Sequence, residues 1–152
     1  MWTNKSSLML SRILTAVLTA ALASGLLFIP KITDWYCGIT VGHGFIDGGL
    51  RIPMTAILYV TTVFGLTAAA ALILLLNSIS RGDVFTPRNT LCLRVISWAC
   101  LLAAAAFAVL GLWRFIFLAF AFLGAFLGIV MRVLKNVFAA AVELKEENDY
   151  TV

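Results

Sequence analysis

Four stretches of the chain carry no charged residue: Ile13 to Pro30 (18 residues), Ile52 to Ser80 (29), Val95 to Trp113 (19) and Phe115 to Met131 (17). Each is close to the ~20 residues that a helix needs to cross the hydrocarbon core of a bilayer. Backbone N–H and C=O groups in lipid must bond within their own segment, so runs of this kind are helices. The whole composition agrees: 62% of the residues are hydrophobic, 12% are charged and the mean hydropathy is +1.05. Eleven basic and seven acidic side chains, fenced into short segments, would not clothe a 152-residue soluble domain. Disorder is excluded as well, because it needs low hydrophobicity and dense charge.

The sequence therefore predicts an all-α fold, an integral membrane four-helix bundle forming one domain over residues 1–152. Helices are expected at about 8–29, 53–78, 87–112 and 115–135, with a cytoplasmic helical extension over 136–152. Orientation follows from Lys and Arg. The amino tail, middle loop and carboxyl tail share one side and hold Lys5, Arg12, Arg81, Arg88, Arg94, Arg132, Lys135 and Lys145, against Lys31, Arg51 and Arg114 on the other. That bias of eight to three places both termini in the cytoplasm. The net charge of +4 reads as a topology signal and an attraction to anionic lipid, with no direct nucleic-acid binding surface. Trp35, Tyr36 and Trp113 fall at outer helix edges, where interfacial aromatic anchors belong.

Lys5 and Arg12 before an apolar run, then Ala21-Leu22-Ala23 followed by Ser24, also fit a cleaved signal peptide. The run continues through Leu26, Leu27, Phe28 and Ile29, which favours a retained helix. The outer loop, Lys31 to Arg51, offers Asp34, Cys37, His43 and Asp47 among glycines, donor types that suit zinc, but in no ligand spacing. A flexible Gly-rich cap is the expectation, with no metal and no cofactor. Cys92 and Cys100 lie eight apart within the third helix, so no Cys-x-x-Cys motif exists and small packing residues are expected.

The middle loop is the most informative local sequence. Gly82 suits the left-handed turn that ends the second helix, and Thr86-Pro87 reads as an N-cap followed by proline at the first helical position. Phe85 is expected to staple against Thr90 or Leu91.

No Asp, Glu, Lys or His lies centrally in any expected span, and Arg94, about two turns inside the third helix, can snorkel to the cytoplasmic face. This speaks against a proton-coupled carrier of the four-helix multidrug type and against an intramembrane hydrolase, so no enzymatic activity and no catalytic residue are expected. Packing signals are stronger. Gly124 and Gly128 form a G-x-x-x-G face expected to pack within the chain, with a homo-oligomer as the alternative. The Phe115, Phe122 and Phe126 stripe reads as lipid-facing or core. Past Lys135 come strong helix formers and then an acidic end with Glu143, Leu144, Glu146, Glu147, Asp149 and Tyr150.

The loop Gly82-Asp83-Val84-Phe85-Thr86 with Asn89 and Arg94, together with the ending Glu143 to Val152, resembles the YoaS-like family of small bacterial membrane proteins, a domain of unknown function. Its members more often end in Leu and Ile where this chain has Tyr150 and Val152. The resemblance implies a four-helix protein of the bacterial cytoplasmic membrane, often encoded beside a small helix-turn-helix regulator, and carries over no catalytic residue. The expected function is a non-enzymatic membrane protein, with the lipid bilayer as one partner and a small DNA-binding regulator in the cytoplasm as the other. Arg81, Asp83, Phe85, Arg88 and Asn89 of the loop and Glu143, Leu144, Glu146, Glu147, Asp149 and Tyr150 of the tail are the candidate contacts. A small transport or permeability component, alone or accessory to an exporter, is the alternative. An immunity or stress-protection role is the third.

Overall fold

The computed structural model describes residues 4–39, 44–46 and 48–151, which form four helices: α1 (Asn4–Ile39), α2 (Arg51–Ser80), α3 (Pro87–Leu110) and α4 (Ile116–Tyr150). All four are long and apolar enough to cross a membrane. The chain is thus an all-α four-helix bundle of the multi-pass membrane class. Short connections, Arg81 to Thr86 and Gly111 to Phe115, make successive helices antiparallel, and each helix lies along its neighbour in sequence. Both ends of the chain and the α2–α3 loop therefore share one face of the bundle, called here the tail side. Nineteen residues separate Arg12 from Lys31 in α1 and Ile116 from Lys135 in α4. At 1.5 Å per residue each interval rises about 28 Å, the thickness of a hydrocarbon core.

Apolar side chains outside the contacts point away from the bundle: Leu27 is 80% exposed, Ile52 81% and Phe122 76%. Such surface is ordinary against lipid and untenable in water. Inside, two clusters hold the helices together. Toward the tail side Ala71 and Leu75 of α2 meet Cys92, Leu93 and Ile96 of α3, with Met131 and Phe138 of α4 packed on them. At the opposite end Leu50, Met54, Leu110 and Phe117 are joined by Tyr36 and Cys37 from α1. Tyr36 reaches across to Phe117 with ring centroids 5.8 Å apart, so side chains close the bundle where the α1 and α4 backbones stay apart.

Two helices are longer than the uncharged runs suggested. α1 continues through Pro30 to Ile39, ten residues beyond the expected end. Proline removes one backbone donor, yet the segment beyond it gains compensation: Tyr36 and Cys37 enter the cluster at that end, and Asp34 pairs with Arg51 at 2.6 Å. Most of the segment expected to begin the Gly-rich cap is therefore helix. Its remainder is tied down in part, because Phe45 and Ile46 donate backbone hydrogen bonds of 2.8 and 3.0 Å to the Leu112 carbonyl past the end of α3. α4 runs without a break to Tyr150, so the tail is one continuous helix with the span.

The G-x-x-x-G face of α4 packs inside the chain. A Cβ placed on Gly124 would lie 3.2 Å from the Ala104 Cβ, and one on Gly128 would lie 2.7 Å from the Leu101 side chain and 3.2 Å from the Ser97 carbonyl. Close approach lets Ser97, 2% exposed, donate a 2.8 Å hydrogen bond to the Gly128 carbonyl. At the tail side Arg12 donates to Asn77 Oδ1 (2.8 Å) and Ser80 Oγ (2.7 Å), clamping α1 to the end of α2.

Candidate functional site

The α2–α3 loop is built by hydrogen bonds that its sequence supplies. Gly82 has φ +89°, the left-handed conformation that ends α2, and its N–H donates to Ile79 O at 3.1 Å. Thr86 is the N-cap of α3, accepting at Oγ1 from the Asn89 N–H (3.4 Å), and Pro87 fills the first helical position, where its missing N–H costs nothing. Ser78 Oγ donates to the Asp83 carbonyl at 3.0 Å. The Asn89 amide donates from Nδ2 to both Asp83 O and Val84 O at 2.7 Å each.

That geometry corrects one expectation and extends another. Asn89 is 0% exposed and its Nδ2 is spent on the loop backbone, while Oδ1 is buried without a hydrogen-bond partner, so it is a scaffold residue with no surface to offer a partner. Phe85 has a ring contact that the expectation left out: it packs on Phe138 of α4, centroids 5.5 Å apart, which joins the loop to the helix carrying the tail. Arg81, Asp83 and Arg88 remain at the surface, around a cleft of about 250 Å³ that Asn77, Ser78 and Thr86 help to line. Past Val142 every described side chain of α4 is exposed. Glu143, Leu144, Glu146, Glu147 and Tyr150 are all exposed, Leu144 at 66% and Tyr150 at 90%. Asp149 falls within the helix, its side chain outside the described residues. The loop is linked to the stem of the tail through Phe85 and Phe138, and among the described residues no ion pair joins Arg81 or Arg88 to the tail. The end of α4 at Tyr150 is twelve residues past Phe138, so the acidic end extends about 18 Å beyond that joint.

A second polar feature was read too narrowly in the sequence. Arg94, Ser97 and Trp98 of α3 and Arg132, Lys135 and Asn136 of α4 line a cleft of about 330 Å³ on the tail side. The Arg132 guanidinium lies over the Trp98 ring, 5.1 Å from its centroid. Arg94 had suggested only a snorkelling side chain. The signal that finds the cluster is symmetry about the α3–α4 turn, since Arg94 and Arg132 each lie nineteen residues from Trp113 and a helical hairpin must bring them level.

Elsewhere the hydroxyl groups within the spans serve their own helices. Thr15, Thr19, Thr61, Thr62 and Thr67 each donate to a carbonyl four residues back, at 2.7 to 2.9 Å. Asp34 is held by Arg51 in a two-point contact, Nε to Oδ1 and Nη2 to Oδ2 (3.1 Å). His43 and Asp47, the other potential ligands of the outer loop, lie outside the described residues, and no group of three His, Cys, Asp or Glu that could hold a metal occurs among those described. Cys37, Cys92 and Cys100 are free thiols.

No curated protein and no solved structure matches the chain. A family model does, over residues 44–152, taking in the α2–α3 loop, the basic cleft and the acidic end. The chain therefore belongs to the family described as protein of unknown function (DUF2975).

Proposed function

We propose that this is a non-enzymatic multi-pass protein of the bacterial cytoplasmic membrane, with both termini in the cytoplasm, whose tail side docks a small basic DNA-binding regulator. The observation that carries the reading is the continuation of α4 beyond the bundle, ending in Glu143, Glu146 and Glu147 beside exposed Leu144 and Tyr150. A helix needs no such extension to cross a membrane. Acidic groups on it would steer a basic partner, and the two apolar side chains would anchor it once docked. Arg81, Asp83 and Arg88 on the loop add a second, polar contact, which the Phe85–Phe138 joint holds in fixed relation to the base of the tail. The resemblance to the YoaS-like family supports the same choice, since its members are often encoded beside a helix-turn-helix regulator. Membrane state would then control how much regulator is free to bind DNA.

Deleting Glu143 to Val152 tests this, because the deletion removes no residue of either apolar cluster. Crosslinking in native membranes followed by purification should recover the regulator with the full chain and lose it with the truncated one. Equal recovery from both would defeat the tethering reading and put the transport alternative ahead, to be examined as substrate flux in proteoliposomes.

A further inference from the structure

The cleft between α3 and α4 gathers three cations with no acid to balance them. Arg94, Arg132 and Lys135 all line it, and among the described residues the only ion pair is Asp34–Arg51, at the opposite end of the bundle. The antiparallel register fixed by the Ser97–Gly128 bond puts Arg94 level with Arg132, so the cations converge from both helices. One of them is also held in place. The Arg132 guanidinium lies over the Trp98 ring, 5.1 Å from its centroid, and Asn136 adds an amide to the lining. Like charges crowded in this way repel unless an anion lies among them.

The depth of the cleft says which anion. Lys135 stands nineteen residues from the start of α4 at Ile116, about one hydrocarbon thickness, so the three charges sit at the level of the headgroups in the leaflet on the tail side. Exposed Trp98, at 48%, is an amphipathic ring suited to that depth. We infer that this cleft is a binding site for the phosphate headgroup of one anionic phospholipid, seated between α3 and α4 and bonded by Arg94, Arg132 and Lys135. Basic pockets between membrane helices have the chemistry such headgroups require, and planar guanidinium groups meet phosphate oxygens two at a time. The site is separate from the proposed partner surface: its residues end at Asn136, before the acidic end begins at Glu143.

The test compares two triple variants of the full chain in detergent micelles doped with phosphatidylglycerol or phosphatidylcholine, read by native mass spectrometry and by thermal stability. Arg94→Gln, Arg132→Gln and Lys135→Gln together empty the cleft of charge. Arg81→Gln, Arg88→Gln and Lys145→Gln remove the same charge from the same side but outside it. The native chain and the second variant should retain phosphatidylglycerol and be stabilised by it, whereas the cleft variant should bind it at least tenfold more weakly and keep its stability in phosphatidylcholine. Equal loss in both variants would mean diffuse surface attraction and overturn the site. A third arm adds inorganic phosphate without anionic lipid. Stabilisation by phosphate equal to that by phosphatidylglycerol would overturn the lipid assignment in favour of a soluble anion.

Discussion

The Ser97 hydroxyl crosses from α3 to donate a 2.8 Å hydrogen bond to the backbone carbonyl of Gly128 in α4. The bond exists because Gly128 has no side chain: the space a Cβ would take is filled by Leu101 and by the Ser97 carbonyl. In a membrane the lipid tails are as apolar as the helix faces, so α3 and α4 associate through packing and such bonds rather than through the hydrophobic effect.

A replacement at this contact should therefore act mainly through shape. Gly124→Ile with Gly128→Ile drives branched side chains into Ala104 and Leu101 and should lower thermal stability in detergent markedly. Ser97→Ala removes one interhelical hydrogen bond, worth about 0.6 kcal/mol in membranes, and should have the smaller effect. Melting curves of both variants check the order. An unchanged curve for the glycine double variant would mean that α4 does not pack on α3 in this way.

Asn89 gives a sharper chemical test, because it acts only as a donor to Asp83 O and Val84 O. Asn89→Asp keeps the size and turns a double donor into a carboxylate facing two carbonyl oxygens in a fully buried position, which costs several kcal/mol or forces the loop open. Asn89→Ala only leaves the carbonyls unpaired, at about 1–3 kcal/mol. The aspartate should thus be the worse variant, by thermal stability and by proteolysis between Gly82 and Thr86. Equal stability would show that the loop is not held by this amide.

Four helices and their order were legible because charge is excluded from a lipid-embedded segment, a constraint that acts on sequence alone. Their lengths were not. A run of uncharged residues stops at Lys31, but the helix goes on, since Asp34 finds Arg51 and Tyr36 finds Phe117, partners supplied by other helices. Gly82 and the Thr86-Pro87 cap were readable for the opposite reason: a left-handed turn and an N-cap are settled within a few residues. Phe85 has a near candidate in sequence and a ring contact fifty-three residues away at Phe138, and only the hairpin of α3 and α4 brings that residue within reach. Asn89 looked like a surface group on a loop because burial, unlike capping, depends on what packs above it. The basic cleft was hidden in the same way, its charges divided between two helices and each explicable alone as a topology signal.

Topology can be read with thiols. Cys37 is half-buried beside Gly48, Gly49, Leu50, Arg51 and Arg114, so it should react slowly, whereas Gly48→Cys would place a thiol on the exposed part of the outer loop. With the charge bias setting orientation, a membrane-impermeant maleimide applied to intact cells should label Gly48→Cys and spare Ser80→Cys. Labelling in the reverse pattern would invert the bundle and place the acidic end outside the cell.

The amino-terminal helix should stay on the protein. Cleavage after Ala23 would discard Arg12, whose two hydrogen bonds to Asn77 and Ser80 fasten α1 to the tail side of α2. Intact mass of the purified protein decides the point. A species beginning at Ser24 would leave a three-span protein and remove that clamp.

The acidic end of α4 makes the last prediction. Helices of fewer than ~12–15 residues are marginal in water unless something packs on them, and Glu143 to Tyr150 is exposed on all its described side chains. Phe138, held by Phe85 and the tail-side apolar cluster, is the last large anchor along the helix. Amide hydrogen exchange in detergent should therefore show strong protection through Phe138 and a steep fall toward Tyr150. Phe85→Ala should move the start of that fall back toward Lys135, because it removes the ring that braces the stem. A partner bound to the tail should do the opposite and extend protection through Glu147, since docking supplies the packing that the free helix lacks. Uniform protection of α4 in the isolated protein would mean that its end is already covered, and that no docking surface of this kind is open.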